Sequence, residues 1–307
     1  GVSAFNSGDH DGVIGIGGGS ALDAGKAIAL MAKQDISIWE LEDVGDNWTR
    51  ADVGGIAPIV AVPTTAGTGS EVGRASVILD EVAKVKKIIF HPQMVPAIVI
   101  LDPMVTTGLP PMLTAATGMD ALSHSLEAWC SPAYHPMAEG IAVEGIRLVR
   151  EYLPTAVASG SDVEARTQML VASMMGATAF QRGLGAMHAL AHPLGALYNA
   201  HHGTLNAVLM PYVLIANRQA IEPRISHLAR SIDIPNASFD SFLEWVLELR
   251  ETVSIPQNLE DLGIDDNQAD LIGKMAEVDP SGGTNPILFD ASQYQSIFMN
   301  ALNGNLS

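Results

Sequence analysis

A strand that ends in a run of glycines and leads directly into a helix constrains the fold of this chain more than any other stretch. Residues 12–32, GVIGIGGGSALDAGKAIALMA, start with β-branched residues and continue with helix formers after Gly17, Gly18 and Gly19. Short apolar strands that alternate with helices are typical of buried parallel sheets. The runs IVAVP from residue 59 and AIVILDP from residue 97 repeat the strand pattern. Up to about Met104 we therefore predict an α/β layer.

Beyond Met104 the apolar spacing is that of helices, and no strand pattern returns. The helical segments are LPPMLTAATGMDALSHSLEAWC, MAEGIAVEGIRLVREYL, DVEARTQMLVASMMGATAF, LNAVLMPYVLIANRQA and FDSFLEWVLELRETV. Pro110 and Pro111 stand near the start of the first of these segments and Pro132 comes just after it, as prolines do at helix ends. The pattern predicts two domains, an α/β domain over residues 1–104 and an all-helical domain over residues 105–307.

The composition excludes several classes of protein. A net charge of −18, from 34 acidic and 16 basic residues, opposes binding to nucleic acid, whose affinity for proteins comes from Lys and Arg on phosphates. Hydrophobic residues make up 48% of the chain, yet Gly, Pro and charges interrupt every run before the roughly 18 residues of a membrane span. Cys130 is the single cysteine, and no secretion signal opens the sequence. We expect a cytoplasmic protein that binds no membrane.

The start of the chain is unusual, because it lacks Met and reaches the glycine-rich loop within twenty residues. This predicts a piece of a longer protein.

Two loops after strands suit a phosphate-bearing ligand. In the first, Gly17 to Ser20 combine bare backbone N–H groups with a helix N-terminus, an arrangement that binds anions. The alternative is a tight turn without a ligand, and the dinucleotide fingerprint G-x-G-x-x-G is incomplete because Ser20 stands at its last glycine. The second loop, Pro63 to Gly73, carries three threonine hydroxyls. Loops that follow two strands of one sheet would share a crevice at the strands' carboxyl ends.

A set of histidines and one carboxylate has the spacing of metal ligands. Asp120 and His124 lie four residues apart on a predicted helix and so share a face, although such a pair alone is most often a surface pair. The stretch MHALAHPLGALYNAHHG supplies His188, His192, His201 and His202. Pro193 disfavours helical geometry at His192, so the rings of His188 and His192 need not stay on one face. Glu127 is a further candidate ligand, or else part of a solvated face.

One carboxylate with two or three imidazoles suits Fe(II), Zn(II), Mn(II) or Ni(II). The spacing does not decide which of the histidines bind.

Four motifs together resemble the iron-containing (group III) alcohol dehydrogenases. They are IGIGGGSALDAGKAIA, VPTTAGTGSEV, LPPMLTAATGMDALSHSLEAW and HALAHPLGALYNAHHG, in the family's order across nearly the whole chain. The resemblance implies a Rossmann-like parallel-sheet nucleotide domain, truncated at its start, followed by an all-helical metal-binding domain of the dehydroquinate synthase-like type. It implies Fe(II) or Zn(II) held by four residues: Asp120, His124, His188 and His202.

The same resemblance assigns other residues. His192 would lie beside the nicotinamide without binding the metal, and His201, where the family usually has Pro, would be a bystander. Gly17, Gly18, Gly19 and Ser20 would hold the pyrophosphate of NAD or NADP, with Asp23 nearby. Thr64, Thr65 and Thr68 would line the rest of the cofactor, and Lys86 would contact its ribose. The loop Asp279 to Pro286 resembles one near the family's substrate channel, or else only connects helices.

The implied function is reversible oxidation of a small alcohol to an aldehyde or ketone by hydride transfer to nicotinamide, in a homodimer. Related alternatives are a polyol dehydrogenase, a hydroxyacid–oxoacid transhydrogenase or a cyclising lyase; a metal-free maleylacetate reductase is disfavoured by the four ligands. Family members carry several tens of residues before the equivalent of Gly1, including the residue that selects NAD over NADP. An inactive fragment that cannot bind cofactor is therefore the alternative from another class, and the exposed sheet edge would need covering.

Overall fold

The computed structural model describes residues 1–82 and 85–306 of the chain. Its strands are β1 Val13–Gly17, β2 Ile59–Pro63, β3 Ala75–Asp80, β4 Val85–Phe90 and β5 Ile98–Val99. Its α-helices are α1 Val2–Ser7, α2 Gly19–Met31, α3 Pro111–Cys130, α4 Pro136–Ala158, α5 Val163–Ala179, α6 Ala186–Tyr198, α7 His202–Ser231, α8 Phe239–Thr252, α9 Ala269–Glu277 and α10 Ala291–Asn303. The predicted class, a parallel sheet followed by a helical part, is confirmed.

The three predicted strands form one parallel sheet in the order β1-β2-β5. Val13 pairs with Ile59, and the register continues to Gly17 beside Pro63, so the loops that follow β1 and β2 leave the sheet side by side. Helix α2 packs on one face, where Leu22 lies close to Gly15. On the opposite face Ile14 and Ile16 are 67% and 60% exposed.

A second sheet, the antiparallel hairpin β3–β4, was not predicted. Its register runs from Ala75 beside Phe90 to Asp80 beside Val85. A small separate core forms beneath it, in which Ile89 of β4 is buried with Leu30 of α2.

The helical part encloses one large apolar core, and the five predicted helical segments correspond to α3, α4, α5, α7 and α8, extending beyond these helices by at most two residues at an end. Helix α3 is its centre, because nearly every residue from Thr114 to Cys130 is buried. Among the described residues, no helix combines the length and the apolar character required to cross a bilayer.

The expected disruption at Pro193 is wrong. Helix α6 continues from Ala186 through Pro193 to Tyr198, although proline cannot donate the usual backbone hydrogen bond. Its buried face, which includes Leu190 and Leu194, packs into the main core and holds the helix together. His188 and His192 consequently remain neighbours, with ring centroids 6.0 Å apart.

Candidate metal and cofactor site

Three imidazoles surround one carboxylate oxygen in the middle of the helical part. Oδ1 of Asp120 lies 3.7 Å from Nε2 of His202 and 4.0 Å from Nε2 of both His188 and His124. Asp120 and His124 come from α3, His188 from α6 and His202 from the first turn of α7. The ligand atoms of Asp120, His188 and His202 all lie within 4.8 Å of one another. Because a ligand atom lies about 2 Å from a zinc ion, such separations suit one shared ion.

The protonation states of these groups fit a cation. Burial alone would raise the pKa of Asp120, but the positive charge that His124, His202 and His188 carry when protonated, together with the hydrogen bond from Asn206, lowers it to about 2. Burial lowers the pKa of His202 to about 3 and the pKa of His188 well below its usual value. At neutral pH the carboxylate is therefore charged and these two imidazoles are neutral, as metal ligands must be. Nδ1 of His124 is buried without a hydrogen-bond partner among the described residues.

Glu127 is neither a solvated residue nor a member of this cluster, because its carboxylate is buried on the far side of His188. It accepts hydrogen bonds from the backbone N–H groups of Gly185, at 2.8 Å, and Met187, at 2.7 Å. Its Oε2 lies 2.7 Å from Nδ1 of His188. A proton on Nδ1 that is donated to Glu127 leaves the lone pair of Nε2 facing Asp120, the arrangement common behind metal-binding histidines.

Close packing between α3 and α7 brings His202 to the cluster. A Cβ at Gly203 would lie 2.3 Å from the carbonyl oxygen of Ala116 and 3.2 Å from Cβ of Asp120. The glycine after His202 is thus required for the approach of the two helices. His201 precedes the helix as its N-cap, is exposed, and lies with Nδ1 3.4 Å from Oγ1 of Thr204.

His192 lies next to the cluster and is held by a second carboxylate. Its Nδ1 is 2.8 Å from Oδ2 of Asp279, and its ring stacks on that of His202 with centroids 5.5 Å apart. Asp279 also accepts the N–H of Ser281. If Nδ1 donates to Asp279, Nε2 of His192 is free to accept a proton, which is the property of a general base.

The loop from Asp279 to Pro286 does more than connect helices. Besides holding His192 through Asp279, it binds the start of α6: Thr284 donates to the carbonyl of Leu184, and Asn285 accepts from the N–H of Ala186.

The two predicted phosphate loops lie against each other. Gly17 has a φ of 146°, a region that side chains rarely adopt, and its carbonyl accepts from the N–H of Thr64. A Cβ at Gly18 would lie 3.3 Å from Cγ2 of Thr65, and a Cβ at Gly19 would lie 2.8 Å from Cγ2 of Thr68. The first turn of α2, which includes Ser20, therefore lies directly against the threonines of the second loop.

The second loop also touches the helix that carries Asp120. A Cβ at Gly67 would lie 2.7 Å from Cβ of Thr117 and 2.8 Å from its carbonyl oxygen, one turn before Asp120 on α3. Nζ of Lys86 reaches from the hairpin to within 3.9 Å of where a Cβ of Gly195 in α6 would be. The loops, Lys86 and the histidines thus border the same region.

Asp23 has both carboxylate oxygens engaged inside the protein. Oδ1 accepts from Oγ of Ser70 at 2.6 Å and Oδ2 from the N–H of Val77 at 2.9 Å, while Nζ of Lys26 lies 3.3 Å away. Lys26, which is buried, also donates to the carbonyls of Ser70, Gly73 and Ala75. These contacts fix the second loop to α2. Contact between Asp23 and a cofactor stays a prediction.

The spacing of histidines gave no sign of Asn206, whose amide group contacts the cluster. A buried amide in the otherwise apolar run LNAVLM, four residues after His202, is the signal that could have identified it. Asp279 lies 87 residues from His192 in sequence, and only the fold shows their contact.

Two family models match the chain. Residues 1–103 match the family model described as iron-containing alcohol dehydrogenase, and residues 114–302 match the C-terminal model of the Fe-containing alcohol dehydrogenase family. The 4-hydroxybutyrate dehydrogenase of Cupriavidus necator is 38% identical over 295 residues, which cover 93% of this chain and 76% of that protein.

Two further relatives are similar over almost the whole chain. The NAD-dependent methanol dehydrogenase of Bacillus methanolicus is 35% identical, over 98% of this chain and 80% of its own length. Among solved structures, a 1,3-propanediol oxidoreductase superimposes with a TM-score of 0.92 at 35% identity, over 98% of this chain and 79% of that one.

Proposed function

This chain belongs to the iron-containing alcohol dehydrogenase family, and from that premise we propose that it is a metal-dependent, NAD(P)-linked dehydrogenase that oxidises a small alcohol reversibly to the aldehyde or ketone. The observation that carries the proposal is the convergence of Asp120 with the imidazoles of His124, His188 and His202, beside two loops of glycine and threonine. The similar proteins are named for a hydroxy acid, methanol and a diol, all of them primary alcohols.

The residues present fit a divalent ion. The ligand atoms of Asp120, His188 and His202 lie close together, and the NH₂ group of Asn206 is within hydrogen-bond distance of all three. Fe(II) and Zn(II) both accept this donor set. Asp120, His124, His188 and His202 would hold the ion, whose charge would lower the pKa of an alcohol as it does that of water, while the nicotinamide accepts the hydride.

Other residues of the chain would bind the cofactor and take up the proton. Gly17 to Ser20 offer backbone N–H groups and the start of α2 to a pyrophosphate. Thr64, Thr65 and Thr68 would line the rest of the cofactor, and Lys86 would contact its ribose. His192, oriented by Asp279, would take up the proton that the alcohol loses.

The test combines metal loading with a panel of alcohols. The protein would be loaded anaerobically with Fe²⁺ or Zn²⁺, and reduction of NAD and of NADP would be followed with methanol, 1,3-propanediol and 4-hydroxybutyrate. We expect turnover of at least one alcohol that a chelator abolishes and added metal restores. A stoichiometric metal ion without turnover of any alcohol in either direction would refute the proposal.

Ile14 and Ile16 of β1 leave an apolar face of the parallel sheet exposed. This uncovered face favours a second candidate function, that of a chain that binds metal but not the dinucleotide. A fluorescence titration with NADH in the presence of metal separates the two. Saturable binding supports the dehydrogenase, whereas no binding at millimolar cofactor supports the second candidate.

The role of His192 makes a separate prediction. We expect His192→Ala to lower kcat by roughly 10²- to 10⁴-fold, the usual contribution of a positioned general base, and to alter the pH dependence of the rate. Metal content should not change, because His192 is not among the four proposed ligands. His201→Ala is the matched control and should keep near-normal kcat. An unchanged pH-rate profile in His192→Ala would remove this role.

A further inference from the structure

Asn206 lies at the centre of the group of ligand atoms without being one of the four proposed ligands. It follows His202 by one turn of α7 and is 0% exposed. Its side-chain nitrogen Nδ2 lies 2.9 Å from Oδ1 of Asp120, 3.1 Å from Nε2 of His188 and 3.2 Å from Nε2 of His202. One amide group is thus within hydrogen-bond distance of proposed metal-ligand atoms on three helices.

The hydrogen-bonding capacity of this amide is unevenly used. Its NH₂ group has two hydrogens for three acceptor atoms, whereas its oxygen Oδ1 is buried without a partner among the described residues. The reverse orientation would place that oxygen against the Asp120 carboxylate and two imidazole lone pairs, which repel it. The contacts therefore fix which end of the amide faces the cluster, at the cost of an unsatisfied carbonyl oxygen.

We propose that Asn206 is a positioning residue of the metal site, whose NH₂ group holds Asp120, His188 and His202 together in the arrangement that accepts the ion. This rests on the proposed function, since it requires that a metal binds. Each Nε2 has one lone pair, which cannot serve a metal and Asn206 together, whereas the Asp120 oxygen has further lone pairs. The hydrogen bond to Asp120 is consequently the contact that is compatible with a bound ion.

The consequence is measurable as metal affinity, independent of turnover. In Asn206→Ala the carboxylate loses its hydrogen bond, and the three donor atoms must be ordered when the ion binds. Partners of metal ligands typically change affinity by roughly 10- to 100-fold when they are removed. We expect Co²⁺ to bind Asn206→Ala more weakly by that factor, measured by competition with a chelator, with an altered ligand-field absorption spectrum.

Asn217→Ala is the matched control, because Asn217 is also a buried amide on α7 but binds Asn285 and the carbonyl of Val213. It should keep the wild-type affinity and spectrum for Co²⁺ even if its melting temperature falls. Wild-type affinity and spectrum in Asn206→Ala would overturn the proposal, as would an equal loss of affinity in Asn217→Ala.

A second variant covers the case in which Asn206→Ala does not fold. Asn206→Asp keeps the shape but replaces the NH₂ group with an oxygen beside Asp120. We expect the metal-free variant to melt below the wild type and Co²⁺ to raise its melting temperature more than it raises that of the wild type. Wild-type melting with a wild-type response to Co²⁺ would contradict the proposal.

Failure of the proposed function has a different signature. A wild-type protein that binds no Co²⁺ would overturn the metal site and this inference together, whereas normal Co²⁺ binding in both wild type and Asn206→Ala would overturn the inference alone.

Discussion

The imidazole of His188 is held from both sides, and this decides which of its nitrogens can bind a metal. Oε2 of Glu127 lies 2.7 Å from Nδ1, while Nε2 faces Asp120 and Asn206. Glu127 in turn is fixed by two backbone N–H groups at the start of α6. A neutral imidazole has one N–H and one lone pair, so a proton on Nδ1 that is donated to Glu127 leaves the lone pair of Nε2 for the cluster.

Glu127→Gln tests this assignment. An amide has one accepting atom where the carboxylate has two, so an N–H of Gly185 or Met187 would face the NH₂ group of the glutamine. We expect affinity for Zn²⁺, measured by isothermal titration calorimetry, to fall by roughly 10- to 100-fold. Glu71→Gln, at a buried glutamate outside the cluster, should leave that affinity unchanged. Equal affinity in Glu127→Gln and wild type would show that Glu127 does not orient His188.

At the scale of elements, the cluster depends on how closely α7 approaches α3. The absent side chain of Gly203 leaves room for the Ala116 carbonyl and the Asp120 side chain. Both His202 and Asn206 belong to the part of α7 that this contact positions.

We expect Gly203→Ala to separate the two helices and to lower the free energy of unfolding by about 1 to 3 kcal/mol, the usual effect of overpacking a core. Zn²⁺ affinity should fall as well, because His202 moves away from Asp120. Gly140→Ala, on the exposed side of α4 with nothing within 4 Å of the new Cβ, should instead stabilise the protein by roughly 0.4 to 1 kcal/mol. Urea unfolding of both variants gives the comparison, and similar stability in the two would contradict the packing argument.

Some secondary-structure elements could be predicted from the sequence pattern and others could not. The strands β1, β2 and β5 and the long helices follow from apolar periodicity, which depends on local spacing. The hairpin β3–β4 does not, because its residue types do not follow their burial: the polar Ser76 is buried, whereas the apolar Val77 and Leu79 are about half exposed. At Pro193 a local rule predicted a disrupted helix, and packing of α6 in the core overrode it.

The candidate site, too, could be predicted from the sequence only in part. Pairs four residues apart on one helix were visible as candidates, and the fold brings Asp120, His124, His188 and His202 together. The parts played by Glu127, Asn206 and Asp279 depend on which helices and loops meet, and spacing along the chain does not contain that information.

The stability of the whole molecule should depend on pH through Glu71, a buried residue of the second loop. Burial raises the pKa of Glu71 to about 7, although Lys26 nearby opposes the shift, and Oε1 has no partner among the described residues. Because the folded pKa lies above the usual value of 4.5, the folded chain holds this proton more tightly than the unfolded chain. The contribution is complete below about pH 4.5 and is lost as the pH rises through about 7.

Glu71→Gln removes this dependence, since the amide does not ionise. At pH 8 we expect the variant to be more stable than the wild type by at most roughly 3 kcal/mol, the equivalent of the shift in pKa. Its melting temperature should also decline less between pH 5 and pH 8. The exposed Glu244, changed to Gln, is the control and should follow the wild-type curve. A wild type that gains stability from pH 5 to pH 8 relative to Glu71→Gln would reverse the sign and refute the prediction.

The contact of Gly67 with Thr117 has a consequence for anyone who redesigns this protein. The second loop packs against the backbone of the helix that carries Asp120, so a side chain at position 67 would change the spacing between the phosphate loops and the metal cluster. A loop transplanted from a relative to change cofactor preference would have to bring along a compatible surface of α3. Transplants that keep glycine at position 67 should therefore preserve metal binding more often than those that introduce any side chain there.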